Sequence, residues 1–309
     1  MDALKPIGRF APTPSGRMHL GNVFAALMAW LSVKSLDGEM VLRMEDLDTL
    51  RTSREFAQVL REDLLWLGLT WDRETPAQSL RSSVYDRYFE ILREKDLLYP
   101  CYCTRSQLHS VNAPHLSDGT YVYPGTCRNL TEEQRNSFSR APAWRVKVDD
   151  RIWRFHDRVQ GDYQLNLATD CGDMVVRRAD GVYVYQLAVT VDDGEAGVTE
   201  VVRGMDLLSS APRQMYLQEL FGFPHPSYAH VPMLMAPDGR RLSKRDRDLD
   251  LGEIRKRMRR EDLLGILASS CGLIEKCEPI SLSELVEQFS WDKISPEDIC
   301  LDSSAWAEI

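Results

Sequence analysis

Residues 7–35, IGRFAPTPSGRMHLGNVFAALMAWLSVKS, decide the architecture. Ile7–Phe10 reads as a short strand, and Ala11–Gly16, built from Pro, Thr, Ser and Gly, reads as a turn. From about Leu20 to Ser35 the chain is rich in Ala, Leu, Met and Trp and turns helical. Strand, loop and helix in that order form the first half of a βαβ unit. The second half follows at once. Glu39–Met44 alternates, with Glu39, Val41 and Arg43 on one face and Met40, Leu42 and Met44 on the other. Thr52 and Glu55 stand at capping-box spacing before Phe56, Val59, Leu60, Leu64 and Leu67, which recur at helical intervals. The β-α-β-α order predicts an α/β fold with a Rossmann-type parallel sheet, and ligands are expected beyond the carboxyl ends of its strands.

Downstream, the periodicity breaks from about Pro100 to Ala143, where cysteines, prolines and glycines replace it, so an insertion is expected there. Strand-like segments follow at Trp144–Val148 and Asp173–Arg178, and the nucleotide fold resumes near Tyr183. Val198–Arg203 reads as a further strand, leading through Ser209, Ser210 and Pro212 into a helix over Gln214–Phe221, where proline suits the first turn. After Arg245 the chain turns helical and charged, with no internal repeat or low-complexity tract. These changes divide the chain into 1–99 and 183–245 as two halves of a catalytic domain, 100–182 as an inserted subdomain, and 246–309 as a helical segment.

With 309 residues, 43% hydrophobic and 28% charged, the chain is long enough for one large domain with smaller appendages. It holds no run of about 18 apolar residues, and MDALKPIGRF lacks the pattern of a secretory signal, so no membrane partner and a cytoplasmic location are expected. The seven cysteines are odd in number. Cys101 and Cys103 are too close in sequence for an ordinary disulfide, and in a reducing compartment they suggest a metal site. The net charge of −9 at first argues against a polyanionic partner, because phosphate binding needs Lys and Arg. Its distribution weakens that objection: Cys277–Ile309 carries eight carboxylates against one lysine, whereas Arg240–Arg260 carries ten Lys/Arg against four Asp/Glu. The basic stretch is where phosphate contacts, or simply a solvated helix face, are expected.

Two segments carry chemistry. In Arg9–Asn22, placed between strand and helix, Gly16 and Gly21 let the backbone approach a bound phosphate or ribose closely, and the helix N-terminus favours negative charge. His19 can donate a hydrogen bond to an oxygen gaining charge in a phosphoryl transition state. Far downstream, Arg240-Arg241-Leu242-Ser243-Lys244-Arg245 follows Asp238-Gly239, and a lysine in such a loop serves as a movable positive charge.

Together the two segments resemble the paired HIGH-type and KMSKS-type signatures of class I aminoacyl-tRNA synthetases. The agreement is specific to the glutamyl/glutaminyl branch. It extends to Arg-Phe-Ala-Pro-Thr-Pro-Ser-Gly at 9–16, Arg43-Met-Glu45-Asp46-Leu47-Asp48, Gln78-Ser79, Tyr185-Gln-Leu-Ala188, Asp192-Asp193 and Val202-Arg203-Gly204-Met-Asp206. Two positions depart from the pattern: Asn22 stands for the second histidine of the first signature and Arg241 for the first lysine of the second. Asn keeps a hydrogen-bonding side chain, Arg keeps the charge, and Lys244, the lysine expected to meet the phosphates, is present.

The resemblance implies ATP, accompanied by Mg²⁺, bound by His19, Gly21, Asn22, Ser243 and Lys244, with His19 and Lys244 catalytic. It implies L-glutamate as the amino acid, held by Arg9, Glu45, Tyr185 and Arg203, with Ala11, Thr13 and Ser15 contributing from the loop. The physical logic agrees, since two carboxylates and one ammonium need two cationic clamps and one anion. Arg9 and Arg203 at strand ends supply the clamps and Glu45 the anion; the alternative is that these three merely pair with one another. Cys101, Cys103 and Cys127 offer three thiolates for a structural Zn²⁺ that needs a fourth ligand, and by spacing His109 or His115 is the usual donor. Zinc-binding members of the family use Cys-x-Cys and Tyr-x-x-x-Cys, so the resemblance points to Tyr123 instead. Cys171, Cys271, Cys277 and Cys300 read as ordinary thiols.

Only about 60 residues follow the KMSKS-like loop, room for a helical stem-contact segment but not for the large anticodon-binding domain of conventional glutamyl-tRNA synthetases. A free-standing core of this kind is similar to the glutamyl-Q tRNA(Asp) synthetases. That resemblance implies a monomer that glutamylates queuosine in the anticodon of tRNA(Asp). Two other readings stay open: a fragment of a conventional glutamyl-tRNA synthetase charging the 3′ end of tRNA(Glu), or a catalytically silent paralogue that binds an amino acid or RNA.

Overall fold

The structure, a computed structural model, describes residues 5–104, 106–107, 122–236, 239 and 250–301. Strand β1 (Ile7–Phe10) leads through the Pro-rich loop into helix α1 (Leu20–Lys34), which returns to β2 (Glu39–Leu42). Helix α2 (Arg54–Leu67), the short β3 (Arg73–Glu74) and α3 (Ser82–Glu94) complete the first part. The ladder of β2 stops at Leu42, two residues short of the sequence reading, yet the chain stays alongside the loop after β1: Arg43 N donates to Phe10 O at 2.9 Å and Glu45 N to Pro12 O at 3.0 Å. The cap of α2 also differs. Ser53, not Thr52, is the N-cap, its hydroxyl accepting from Phe56 N at 3.1 Å, while the Thr52 hydroxyl donates back to Asp48 O. Thr52 is spent closing the preceding turn, which the spacing of Thr52 and Glu55 does not reveal.

Strands β4 (Leu98–Cys101), β5 (Ala143–Val146) and, further on, β8 (Met174–Arg177) form an antiparallel sheet. Between β5 and β8 lies a hairpin absent from the sequence reading, β6 (Ile152–Asp157) and β7 (Gly161–Asn166). Helix α4 (Tyr185–Glu195), strand β9 (Glu200–Gly204), helix α5 (Ser210–Phe221) and strand β10 (Ser227–Val231) follow. Strand β9 begins and ends later than Val198–Arg203 suggested, because Val198 N is still tied back to Asp193 O at 2.9 Å as the chain leaves α4.

The central sheet is two pieces lying edge to edge, parallel throughout except for β7. One has the order β1-β2-β3; the other runs β7-β6-β10-β9, with β9 and β6 both parallel to β10. They meet where Thr199 N donates to Ile7 O at 2.9 Å and Arg9 Nη1 to Val202 O at 2.9 Å. The hairpin from within residues 100–182 thus extends the sheet that carries the later strands. The α/β fold with a parallel sheet expected from the sequence is the one observed. One hydrophobic core lies between the β1–β2 strands, α1 and the helices α6 (Leu251–Arg257), α7 (Arg260–Ser270) and α8 (Leu282–Gln288), through Phe24, Leu27, Leu42, Ile254, Leu267 and Leu285. A second core fills the space around α3, α4 and α5. Among the described residues no helix is long and apolar enough to cross a membrane.

Candidate active site and metal cluster

A cavity of about 600 Å³ opens at the carboxyl ends of β1, β2, β9 and β10, where a doubly wound sheet places ligands. Arg9, Ala11, Thr13, Glu45, Tyr185 and Arg203 line one side of it, and His19, Gly21 and Asn22 lie on the helix α1 side. Ser15 is not among the lining residues; its N–H closes a turn onto Thr13 O at 2.8 Å. Ser243 and Lys244, with Arg240 and Arg241, fall outside the described residues.

Arg9, Glu45 and Arg203 do not pair with one another. Arg9 Nε stands 3.6 Å from Asp193 Oδ2, and Glu45 Oε1 accepts from Arg43 Nη2 at 3.0 Å. Arg203 donates from Nε to His230 Nε2 at 2.9 Å, from Nη1 to Gln214 Oε1 at 2.9 Å and from Nη2 to Leu207 O at 3.2 Å. Beneath the cavity floor, fully buried Arg43 joins the system, donating from Nη1 to Asp193 Oδ1 at 2.5 Å with its Nε 3.8 Å from Asp192 Oδ2. Asp192 is held in turn by Gln78 Nε2 at 2.8 Å, Arg81 Nε at 2.7 Å and Tyr85 Oη at 2.9 Å. The Gln78-Ser79 and Asp192-Asp193 segments therefore act below the cavity, orienting the groups that line it.

This network sets the charge states. Burial would raise the Asp193 carboxyl, but the guanidinium groups of Arg43 and Arg9 outweigh it and hold it below the usual carboxylate range. For Glu45 the balance goes the other way: burial pushes its carboxyl up against the pull of Arg43. An anion held at some desolvation cost is suited to meeting an ammonium group, which would stabilise it.

On the other side, His19 is the N-cap of α1, Asn22 N donates to His19 O at 2.8 Å, and the first turn carries no acidic residue. The positive end of the helix is thus left for an anion. The chain re-enters beside this loop at Asp250: His19 and Asp250 form a β-bridge and Leu251 N donates to Met18 O at 3.1 Å. Arg17 Nη1 donates to buried Asp63 Oδ1 at 2.9 Å and its Nε lies 3.9 Å from Asp250 Oδ1. Gly252 permits that approach, since a Cβ there would lie 2.7 Å from Arg17 Nε. Asp250 and Leu251 are thereby anchored at the His19 wall of the cavity.

The sequence reading gave no role to His230, Asp157 or Gln214. The local signal was a histidine alone in the apolar run Tyr228–Val231; its partners lie on other strands and leave no local trace.

Cys101, Cys103 and Cys127 meet at one end of the antiparallel sheet, their sulfur atoms all within 4.8 Å of one another. Tyr123 Oη is 3.4 Å from Cys101 Sγ and 3.8 Å from Cys103 Sγ, and Cys103 and Cys127 Sγ are 3.6 Å apart. A tetrahedral zinc with sulfur ligands at 2.3 Å has ligand edges of about 3.8 Å, so these spacings fit the ion, whereas a disulfide needs sulfurs about 2.05 Å apart. All seven cysteines are free. Burial raises the Cys101 thiol, but Arg145, whose Nε lies 3.2 Å away, outweighs it and brings it below the ordinary thiol value. Cys103 is pushed up to about 12 by burial and by the negative charge of Cys101, so several anions persist here together only around a cation. Gly172, at φ +69, lets the backbone of Tyr123 pass; a Cβ would sit 2.2 Å from Tyr123 O. His109 and His115, the donors suggested by spacing, fall outside the described residues.

Comparison with known proteins agrees with this geometry. The family model described as tRNA synthetases class I (E and Q), catalytic domain, matches residues 7–270. The glutamyl-Q tRNA(Asp) synthetase of Nitratidesulfovibrio vulgaris is 43% identical over 286 residues, 88% of each chain. That of Symbiobacterium thermophilum is 41% identical over 317 residues, 98% of each chain. Among solved structures, a glutamate tRNA ligase from Elizabethkingia meningosepticum in complex with its amino acid superposes with a TM-score of 0.83 at 28% identity, covering 97% of this chain and 68% of that one. With the match running through both halves of the sheet and every wall of the cavity, this chain belongs to the class I (E and Q) tRNA synthetase family, on the branch of the glutamyl-Q tRNA(Asp) synthetases.

Proposed function

We propose that the protein activates L-glutamate with ATP and transfers it to queuosine in the anticodon of tRNA(Asp). One observation carries the first half: Arg9 and Arg203 line one cavity together with the carboxylate of Glu45, two cations and one anion matching two carboxylates and one ammonium. In the first step a glutamate carboxylate oxygen attacks the α-phosphorus of ATP, and the bond to the pyrophosphate oxygen breaks. The N-terminus of α1 with His19, Gly21 and Asn22 receives the nucleotide, which enters as its Mg²⁺ complex, and Ser243 and Lys244 follow the phosphates. Thr13, Tyr185 and the backbone at Ala11 complete the amino-acid side. In the second step a hydroxyl of the queuine cyclopentene ring attacks the acyl carbon of glutamyl-adenylate. An ester forms and AMP leaves. Zinc held by Cys101, Cys103, Tyr123 and Cys127 ties the insertion together and stands outside both steps.

Support for the choice of queuosine comes from the relatives, named glutamyl-Q tRNA(Asp) synthetases and matched over 88% and 98% of their length. The test is to incubate the protein with labelled glutamate, ATP and tRNA from cells grown with and without queuine, and to map the label. Label confined to the queuosine-bearing pool, in an anticodon-loop fragment and released by mild alkali, is the expected result. Equal charging of both pools, blocked by periodate oxidation of the 3′ ribose while queuosine is protected, would assign the protein to conventional 3′-end charging instead.

A further inference from the structure

Arg203, His230 and Asp157 stand on three neighbouring strands, β9, β10 and β6. His230 is in register with Arg203, and Tyr228, two residues before it, is in register with Asp157. His230 and Asp157 have fully buried side chains, outside the cavity lining. Their hydrogen bonds determine the proton positions without ambiguity. Arginine is only a donor, so His230 Nε2, 2.9 Å from Arg203 Nε, must accept. The proton of the neutral ring therefore sits on Nδ1 and is donated to Asp157 Oδ2 at 2.6 Å. Asp157 is locked in place as well, since its Oδ1 accepts from the backbone N–H groups of Val159 at 3.0 Å, Gln160 at 2.9 Å and His230 at 3.0 Å. With Gln214 and Leu207 taking two more, three of the five N–H donors of Arg203 are committed among the described residues.

We propose that Asp157 and His230 are positioning residues that determine substrate selectivity, fixing the Arg203 guanidinium so that its remaining N–H groups donate to a carboxylate and exclude a carboxamide. This rests on reading the cavity as a glutamate site. A carboxamide turns its NH₂ toward one of the two donors, and Arg203, tied on three sides, has no freedom to turn away. Selectivity between glutamate and glutamine then depends on the buried pair behind the arginine as well as on the arginine itself.

Asp157→Asn tests this sharply. The three backbone N–H groups hold the side-chain oxygen, so the new NH₂ must face His230 Nδ1. That drives the imidazole proton to Nε2, where it confronts the Arg203 Nε–H. His230→Gln keeps an acceptor for Arg203 and a donor for Asp157; His230→Leu keeps neither. The assay is amino-acid-dependent ATP–pyrophosphate exchange, read as KM and kcat for glutamate, glutamine and ATP, with circular dichroism as the folding control. Asp157→Asn and His230→Leu are expected to raise the glutamate KM about tenfold to a hundredfold and to narrow the glutamate-over-glutamine preference, with the ATP KM unchanged. His230→Gln is expected to stay within about threefold of the parent. Should His230→Leu not fold, the other two variants decide. An unchanged glutamate KM and preference in Asp157→Asn overturns the proposal, and so does an equal loss for glutamate and ATP, the mark of a structural role. If the parent protein shows no glutamate-dependent exchange, the glutamate reading falls and this proposal falls with it; exchange in the parent with insensitive variants removes the proposal alone.

Discussion

Replacing Arg43 by methionine probes the charge network under the cavity, because this one side chain neutralises carboxylates from two distant parts of the chain. Arg43 is wholly buried, 2.5 Å from Asp193, 3.0 Å from Glu45 and 3.8 Å from Asp192. Methionine fills much of the same volume and supplies no charge. Asp192 keeps Arg81, and Asp193 keeps Arg9 at 3.6 Å, but Glu45 loses the cation facing it. Removing one partner of a buried pair costs about 3–5 kcal/mol, and the fallback partners place this case near the lower end, about 3 kcal/mol. Against a typical stability of about 5–15 kcal/mol the variant still folds, with its melting temperature lowered by about 5 °C. The deficit has a defined pH dependence. In the parent, Asp193 is held below the usual carboxylate range, so its stabilisation is present at neutral pH and is lost only as pH falls through that depressed value. In the variant, Glu45, already pushed up by burial, loses its opposing cation and rises further. A carboxyl raised in the folded state destabilises above its folded value and is relieved as pH falls toward the unfolded one. Urea unfolding followed by circular dichroism should therefore show a larger deficit at about pH 8 than at about pH 5. A deficit below about 1 kcal/mol, or one equal at the two pH values, would refute the assignment of Arg43 as the neutralising charge.

Three further outcomes are expected. The purified protein should carry about one equivalent of zinc, and Cys103→Ser should lose it and destabilise the insertion before the catalytic core; metal analysis of chelator-free protein and limited proteolysis check this. Gly172→Ala should cost more than about 2 kcal/mol and weaken metal retention, because its Cβ meets the Tyr123 backbone at positive φ; a melting curve unchanged from the parent would contradict it. Lys244→Ala should lower ATP–pyrophosphate exchange more than about tenfold with the fold intact, since a charge needed as the phosphates reorganise acts on rate. An unaltered exchange rate would remove the lysine from the mechanism.

Much of this molecule was legible locally. The strand, loop and helix at 7–34 are encoded by neighbours in sequence: short apolar runs, a proline-glycine turn and helix formers in succession. Periodicity likewise marked α2, the Ser-Pro entry marked α5 although the helix starts earlier, at Ser210, and the spacing of Cys101, Cys103 and Cys127 marked a thiol cluster. The misplacements arose where a competing contact decided. Thr52 lost the cap of α2 to Ser53 because its hydroxyl closes a turn onto Asp48, and the hairpin Ile152–Asp157 and Gly161–Asn166 was passed over because exposed Ile152 and buried Asp157 stand out of phase with its alternation.

By itself the sequence determined the fold class, the position of the loop between β1 and α1 and several of the residues around the cavity, because each rests on spacing within a short segment or on a motif written in consecutive residues. Only the tertiary structure decided what those residues hold on to. Arg9 meets Asp193, Glu45 meets Arg43, and Arg203 meets a histidine that is itself steered by Asp157. The reason is physical: the charge state and direction of a buried side chain are set by whatever fills its surroundings, and here those neighbours come from strands and helices up to about 190 residues away in sequence, brought together by sheet register and burial.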